Sequence, residues 1–460
     1  MNSKIIEIKK NKTKILSIME VICFNGFYLG LQGFIMLSLA MYFHVSIFFI
    51  SILIVLPTAG QCLQLFTNIV KRVLKTRRKT LLVMGTLSRI SIIFLPIAIY
   101  FDYRNPYIFI FVVSIYSLFS PFVGSVWMII MMEIINKEER GSYFGKRNFF
   151  SSMSVGLYML LYGYLLDISN QRQGYFLLTL AMAIFSLFTL VLFFYHYVPE
   201  IENENEVKLS FKEVLKDKNF MVYLRYVSIW VFTWEFIKPS FEYYRVKILG
   251  ANPVFLSQVG AITSVLLMTM YMIYGKASDR YGNRRVLEIG AKLTIIYVLC
   301  YIFMTPDNYK PMILIIGILE GVAFAAINIC FFNLLLEVSK TPADVYIALY
   351  VIINGIVALF AGILSGIFAT FFSANYIMIF GEKFYLIKII FIIGLFLRIF
   401  SIYQLSKIEV FYKQINYRNV ILKSPKYIRD GLGNVIRTRE DKKIEKNKIA
   451  FTQSRKKSIM

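Results

Sequence analysis

Gly275-Lys-Ala-Ser-Asp279-Arg280-Tyr-Gly282-Asn-Arg284-Arg285 separates two apolar stretches, residues 254–274 and 286–304. Each stretch is long enough to cross a bilayer, which takes about 20 apolar residues for a hydrocarbon core of roughly 30 Å. A charged segment hinged on glycines between two such helices reads as a tight loop at a membrane surface. Comparable apolar windows recur outward from it, at 15–42, 45–70, 80–101, 106–134, 148–168 and 174–197, then at 219–248, 311–336, 345–372 and 384–406. Composition agrees. The 460 residues are 58% hydrophobic and only 17% charged, with mean hydropathy +0.63. A water-soluble domain carries about 25% charge. The pattern predicts an all-α integral membrane protein of twelve transmembrane helices, six either side of a polar interval. The first window follows Lys4, Lys9, Lys10, Lys12 and Lys14, but it is of full spanning length and lacks a small-residue cleavage site, so it reads as a span and not a signal peptide.

Charge orients the bundle. Lys and Arg crowd the N-terminal tail, the second-to-third and eighth-to-ninth connections and the stretch from Lys407 onward, whereas the opposite side carries only Arg104, Arg172, Arg245, Lys247, Lys310 and Lys383. Positive residues near spans stay cytoplasmic, so both termini are expected there. Topology therefore accounts for the +24 net charge without a nucleic-acid partner. Basic clusters such as Lys442-Lys443 and Arg455-Lys456-Lys457 suit anionic lipid or plain solvation. Cys23, Cys62, Cys300 and Cys330 sit in apolar spans without C-x-x-C spacing, which argues against a disulfide framework or a metal site. His44 and His196 lie near span ends, and there is no phosphate-cradling G-x-x-x-x-G-K-[ST] run. No cofactor is expected. Richness in Ile, Lys, Asn and Phe points to an AT-rich bacterial genome and hence to a bacterial cell membrane.

The opening segment resembles the cytoplasmic loop signature of the major facilitator superfamily, G-x-x-x-D-R-x-G-x-R-R, carried by Gly275, Asp279, Arg280, Gly282, Arg284 and Arg285. The resemblance implies two six-helix halves, each of inverted three-helix repeats, that rock about a midplane site. It divides the chain into a tail (1–14), a first bundle (15–198), a central loop (199–218), a second bundle (219–407) and a basic cytoplasmic tail (408–460). At an offset of 207 positions Arg77-Arg78 falls on Arg284-Arg285, but Asn68, Arg72 and Lys75 replace the first glycine, the aspartate and the second glycine. In the family the loop acid locks the cytoplasmic side against the other half. After the fourth span comes Glu139-Arg140-Gly-Ser-Tyr-Phe-Gly-Lys-Arg147, and after the tenth Thr341-Pro342-Ala-Asp344. Two exchanged locks follow, Asp279 with Arg140 or Arg147 and Arg72 with Asp344; ordinary topology-setting charges are the competing reading. Two marks of the family's drug–proton antiporters are missing, an arginine within the fourth span and G-P-x-x-G-G in the fifth, which weakens a drug-antiport reading.

Charge within hydrocarbon costs several kcal/mol and marks function by default. The seventh window holds Glu235, Lys238, Glu242 and Arg245 on one face, with Pro239 freeing a backbone carbonyl and Trp234 beside them. Glu320 lies mid-way along the tenth, a candidate for proton coupling or a structural partner of Lys292, with Asn328 further along. The resemblance places spans one, four, seven and ten around the central cavity. Asn25, Gln61 and Gln64 suit either substrate contact or helix-to-helix glue. Glu20 lies near the start of the first window and reads as interfacial. Arg89 sits mid-span on the third and either pairs inward, with Glu20 for example, or snorkels. The expected task is secondary active transport of a small organic solute by alternating access, with H+ as coupling ion and the protein acting as a monomer. Efflux of amphipathic compounds and a non-transporting membrane receptor or assembly factor are the alternatives.

Overall fold

The computed structural model describes residues 2–136, 139–199, 211–340, 343–373, 375–379 and 382–409. Twelve helices in it are long and apolar enough to cross a membrane: α1 (Ile5–Leu31), α2 (Ile47–Leu74), α3 (Arg77–Tyr100), α4 (Pro106–Ile134), α5 (Ser142–Leu166), α6 (Gln171–Phe194), α7 (Lys218–Ile248), α8 (Pro253–Tyr281), α9 (Asn283–Phe303), α10 (Tyr309–Val338), α11 (Val345–Phe372) and α12 (Lys388–Leu405). The count matches the hydropathy reading. Most of the expected central loop, Pro342 and the tail from residue 410 lie outside the described residues.

Local chemistry sets the boundaries. Asn105 caps α4 by accepting from the Tyr107 N–H, and Asn252 caps α8 by accepting from Val254 and Phe255; each is followed by a proline at the first helical position. Asp217 caps α7 through the Phe220 N–H and also meets Lys340 at 2.9 Å and the Tyr346 hydroxyl at 3.3 Å. Burial pushes the Asp217 carboxyl up, but Lys340, the Phe220 N–H and Tyr346 together bring it below the ordinary carboxylate value.

Three features differ from the sequence reading. The signature segment is mostly helix: Gly275, Asp279 and Arg280 occupy the last turns of α8, and the turn contracts to Gly282, whose φ of +87° only glycine adopts without strain. Lys, Ala, Ser, Asp and Arg all tolerate helix once the chain has left hydrocarbon, so polarity alone does not end α8. The first crossing is discontinuous. α1 begins well before residue 15, breaks at Gln32 (ψ 157°) and Gly33, and resumes as the helix Gly33–Tyr42. Before α12, strands β1 (Tyr376–Ile379) and β2 (Glu382–Tyr385) form an antiparallel hairpin pairing Tyr376 with Tyr385 and Met378 with Lys383, which shortens the last span.

In the first half α1 packs on α5 and α6, and α3 on α4 and α6; in the second, α7 packs on α11 and α12, and α10 on α8 and α9. The halves meet where α2 lies against α11 and α5 against α8. Gly355 of α11 makes the first of these close: a Cβ there would stand 2.7 Å from Cys62 Cβ and 2.8 Å from the Ala59 carbonyl oxygen. Small residues let backbones approach in this way where lipid supplies no hydrophobic drive. Both ends of the described chain lie on one face, here the terminal face. On the far face Asn252 Nδ2 donates to Asp167 Oδ1 across the halves at 2.8 Å. At the terminal face Lys14–Glu139, Arg77–Glu133 and Lys340–Asp217 each join residues of one half.

Gly355→Leu should overpack the α2–α11 contact and destabilise the protein by about 1–3 kcal/mol. Thermal unfolding in detergent reads this as a lowered midpoint, with Gly355→Ala falling less.

Candidate functional site

α7 runs through the middle of the molecule, and its charges gather there. Glu235 is 4% exposed; its Oε1 accepts from Thr58 Oγ1 of α2, in the opposite half, at 3.0 Å, and its Oε2 has no hydrogen-bond partner. Lys238 lies one turn on along α7. Glu242 is buried, bonded to Arg245 at 2.6 Å, and its Oε1 lies 3.8 Å from where a Cβ on Gly33 would stand. The break in the first crossing therefore directs the N-terminus of Gly33–Tyr42 toward a carboxylate, the favourable sense for a helix dipole. Glu320 lies on α10, eleven residues from its start. Lys292 pairs with Glu288, one turn away on α9, at 2.8 Å. Of these acids, Glu235 and Glu242 reach the first half, at Thr58 and Gly33, while Tyr297 and Tyr301 pack within the second half on Phe241.

The other residues singled out by sequence divide. Trp234 packs within the second half on Tyr297 (5.9 Å between centroids) and Phe324 (4.7 Å). Asn25 Nδ2 donates to Ser151 and Ser154 of α5, and Asn328 Nδ2 to the Tyr271 hydroxyl of α8, both as helix-to-helix glue. Gln64 donates to Gln61, which lines a cleft in the first half.

The gate charges lie elsewhere than the paired-lock reading puts them. Arg140 donates to the carbonyls of Met132 (2.6 Å) and Ile135 (3.4 Å), closing the end of α4. Arg147 stands 3.5 Å from Glu20. Asp279 is exposed, with no ion partner within 4.0 Å among the described residues, and Arg284 donates to the carbonyls of Ser406 and Ile408 in its own half. Arg72 and Arg285 have partners of their own. Asp344 belongs to the helix leading into α11. The Asp279–Arg140 and Asp279–Arg147 contacts are thus not made in this conformation, because their arginines serve the first half.

Three comparisons bear on the family. A family model described as Major Facilitator Superfamily matches residues 18–344 and 231–407. The chain belongs to the Major Facilitator Superfamily. No curated protein matches it by sequence. Among solved structures it is similar to the nucleoside transporter NupG (15% identity, 88% of this chain and 100% of that one, TM-score 0.63). It is likewise similar to a D-xylose-proton symporter (13%, 85% and 96%, 0.62) and to a bacterial metal transporter (9%, 87% and 98%, 0.59). At these identities the likeness is one of fold.

Within the superfamily fold, two charged groups carry more than their sequence signals conveyed. Glu20 is buried within the first half, 4% exposed. It lies 3.9 Å from Arg89, whose Nε donates to Thr189 Oγ1 at 2.7 Å, so Arg89 turns inward. Arg398 of α12 is fully buried with Nε, Nη1 and Nη2 all unpartnered, and its guanidinium lies 3.7 Å from the centroid of the Trp230 ring. It sits mid-way along α12, as Arg89 does along α3, and is absent from the sequence reading.

A buried guanidinium without acceptors carries a desolvation cost that a cation–π contact of about 2 kcal/mol offsets only in part. Arg398→Met should leave the thermal midpoint unchanged or raise it while shifting Trp230 fluorescence; a large fall would show that the guanidinium stabilises the fold.

Proposed function

We propose that this chain is a secondary transporter that moves a small organic solute by alternating access, coupled to protons through Glu235 and Glu320. The observation that carries the reading is Glu235: a buried carboxylate at mid-height, half-satisfied, and held by Thr58 from the opposite half. Protonation of such a group removes a costly buried charge and alters the one bond it makes across the seam. Proton occupancy is thereby tied to how the halves sit, as alternating access requires. Glu320 supplies a second acid on α10, and Trp234 and Gln61 add aromatic and amide surface nearby. A nucleoside transporter and a sugar–proton symporter among the structural neighbours do not favour the efflux alternative. Those neighbours also differ in cargo, so the fold itself does not select one. On this reading the chain works in a bacterial cell membrane as a monomer with both termini cytoplasmic.

Substrate-evoked proton movement in proteoliposomes tests the coupling. Glu235→Gln and Glu320→Gln should each abolish the pH signal, and solute flux with the signal intact in both would refute these roles. For the opposite conformation we assign the terminal-face lock to Asp279 with Arg140 and to Arg72 with Asp344, set at the corners formed by Gly275, Arg280, Gly282, Arg284 and Arg285. Reversing Arg72 or Asp344 alone should cut transport at least tenfold, and the double swap should restore most of it.

A further inference from the structure

The first half forms a half-open cleft of about 220 Å3 lined by Glu20, Tyr28, Gln61, Arg89, Trp127 and Arg147, among others. Its charges do not balance: two guanidiniums face one carboxylate. Arg89 is committed, with Nε on Thr189 at 2.7 Å, Nη1 on Ser88 at 3.0 Å and Nη2 at 3.9 Å from Glu20. Arg147 is not. It reaches Glu20 only at 3.5 Å, its Nε has no partner, and its guanidinium lies over Trp127, 4.2 Å from the ring centroid. A guanidinium that rests on an aromatic ring keeps its N–H edge for a planar oxyanion in its own plane. The remaining wall is aromatic, with Phe24 stacked on Tyr28 at 4.9 Å and Tyr116 5.7 Å beyond.

We propose that this cleft seats the carboxylate of a small organic acid on Arg147, with the acid's apolar or aromatic body against Tyr28, Tyr116 and Trp127. The assignment rests on the transport reading above and names its substrate class. One surplus positive charge matches a monoanion better than a dianionic phosphate. The volume, below the roughly 300–1,000 Å3 of drug-sized pockets, calls for a compact solute. Glu20 competes for the same guanidinium, so it holds the empty site together and is displaced when the acid binds.

The test is equilibrium binding of benzoate, benzamide and phenylphosphonate to the full-length protein in nanodiscs, followed by tryptophan fluorescence, Trp127 being one of three tryptophans. Benzoate should bind saturably and benzamide at least tenfold more weakly. Arg147→Gln should weaken benzoate at least tenfold, Arg147→Lys should recover part of the loss, and Glu20→Gln should tighten binding severalfold. The opposed signs of the Arg147 and Glu20 effects are what a merely structural ion pair would not produce. Equal affinity for the amide, indifference to Arg147→Gln, or no binding by any probe would overturn the proposal, and tighter binding of phenylphosphonate would overturn the carboxylate assignment. Flux in proteoliposomes separates the two readings. Transport of neutral solutes alone would leave the transporter standing without this site, whereas benzoate binding without flux of any solute would do the reverse.

Discussion

A carboxylate placed in hydrocarbon must find a donor, a cation or a proton, and the internal organisation of this protein follows from how four of them are met. Glu20 is shared between Arg89 and Arg147, and Glu242 is bonded by Arg245. Glu235 takes one hydroxyl, from the other half, and Glu320 has no ion pair within 4.0 Å among the described residues. The first two are arrangements that hold a bundle together. The last two leave an acid incompletely satisfied at mid-height, where a change of protonation has the largest energetic consequence.

Charge alone would not make two halves that separate and rejoin. The seam is made of small residues and apolar contacts, as where Gly355 meets Ala59 and Cys62 and where Gly163 meets Ser257. Such contacts are dispersive and direction-tolerant, and nothing in a lipid environment penalises their exchange for contacts with acyl chains. Few polar bonds cross, and those described, Thr58–Glu235 and Asn252–Asp167, lie at mid-height and on the far face. The two halves also echo one another. Arg89 on α3 stands 5.6 Å from the centroid of Phe27, a ring of α1, and Arg398 on α12 lies over Trp230 of α7, so in each bundle a peripheral helix sends a buried cation against an aromatic ring of the lead helix.

Much of this was legible in the sequence for a simple physical reason. Spanning helices must satisfy their own backbone in lipid, so hydropathy windows and basic flanks report them directly. The Gly275–Arg285 string carried the family, and the spacing of Glu235, Lys238, Glu242 and Arg245 carried their shared face. What hydropathy cannot see is where a helix stops once it has left the bilayer, which is why α1 is already helical through Lys9–Lys14 and α8 runs through Asp279 to Tyr281. Nor does it register a break inside a continuously apolar window. Gly30, Gln32 and Gly33 were the available hints of one, together with a window longer than a single span requires. Pairing between distant helices was the third blind spot. Whether Arg147 faces Asp279 or Glu20, or Arg398 faces lipid or Trp230, is decided by tertiary contacts that no local pattern encodes.

The joint at Gly282 has a mechanical consequence. With no loop between them, α8 and α9 share a single residue that is at once the end of one helix and the cap of the next. There is no slack for one to slide lengthwise past the other, so where the end of α8 goes the start of α9 must follow, with rotation left to the glycine. α8 rests on α5 of the other half while α9 is packed on α10 of its own. A displacement of α8 at the seam is therefore passed at Gly282 to the start of α9, and with it to the charges that flank the joint.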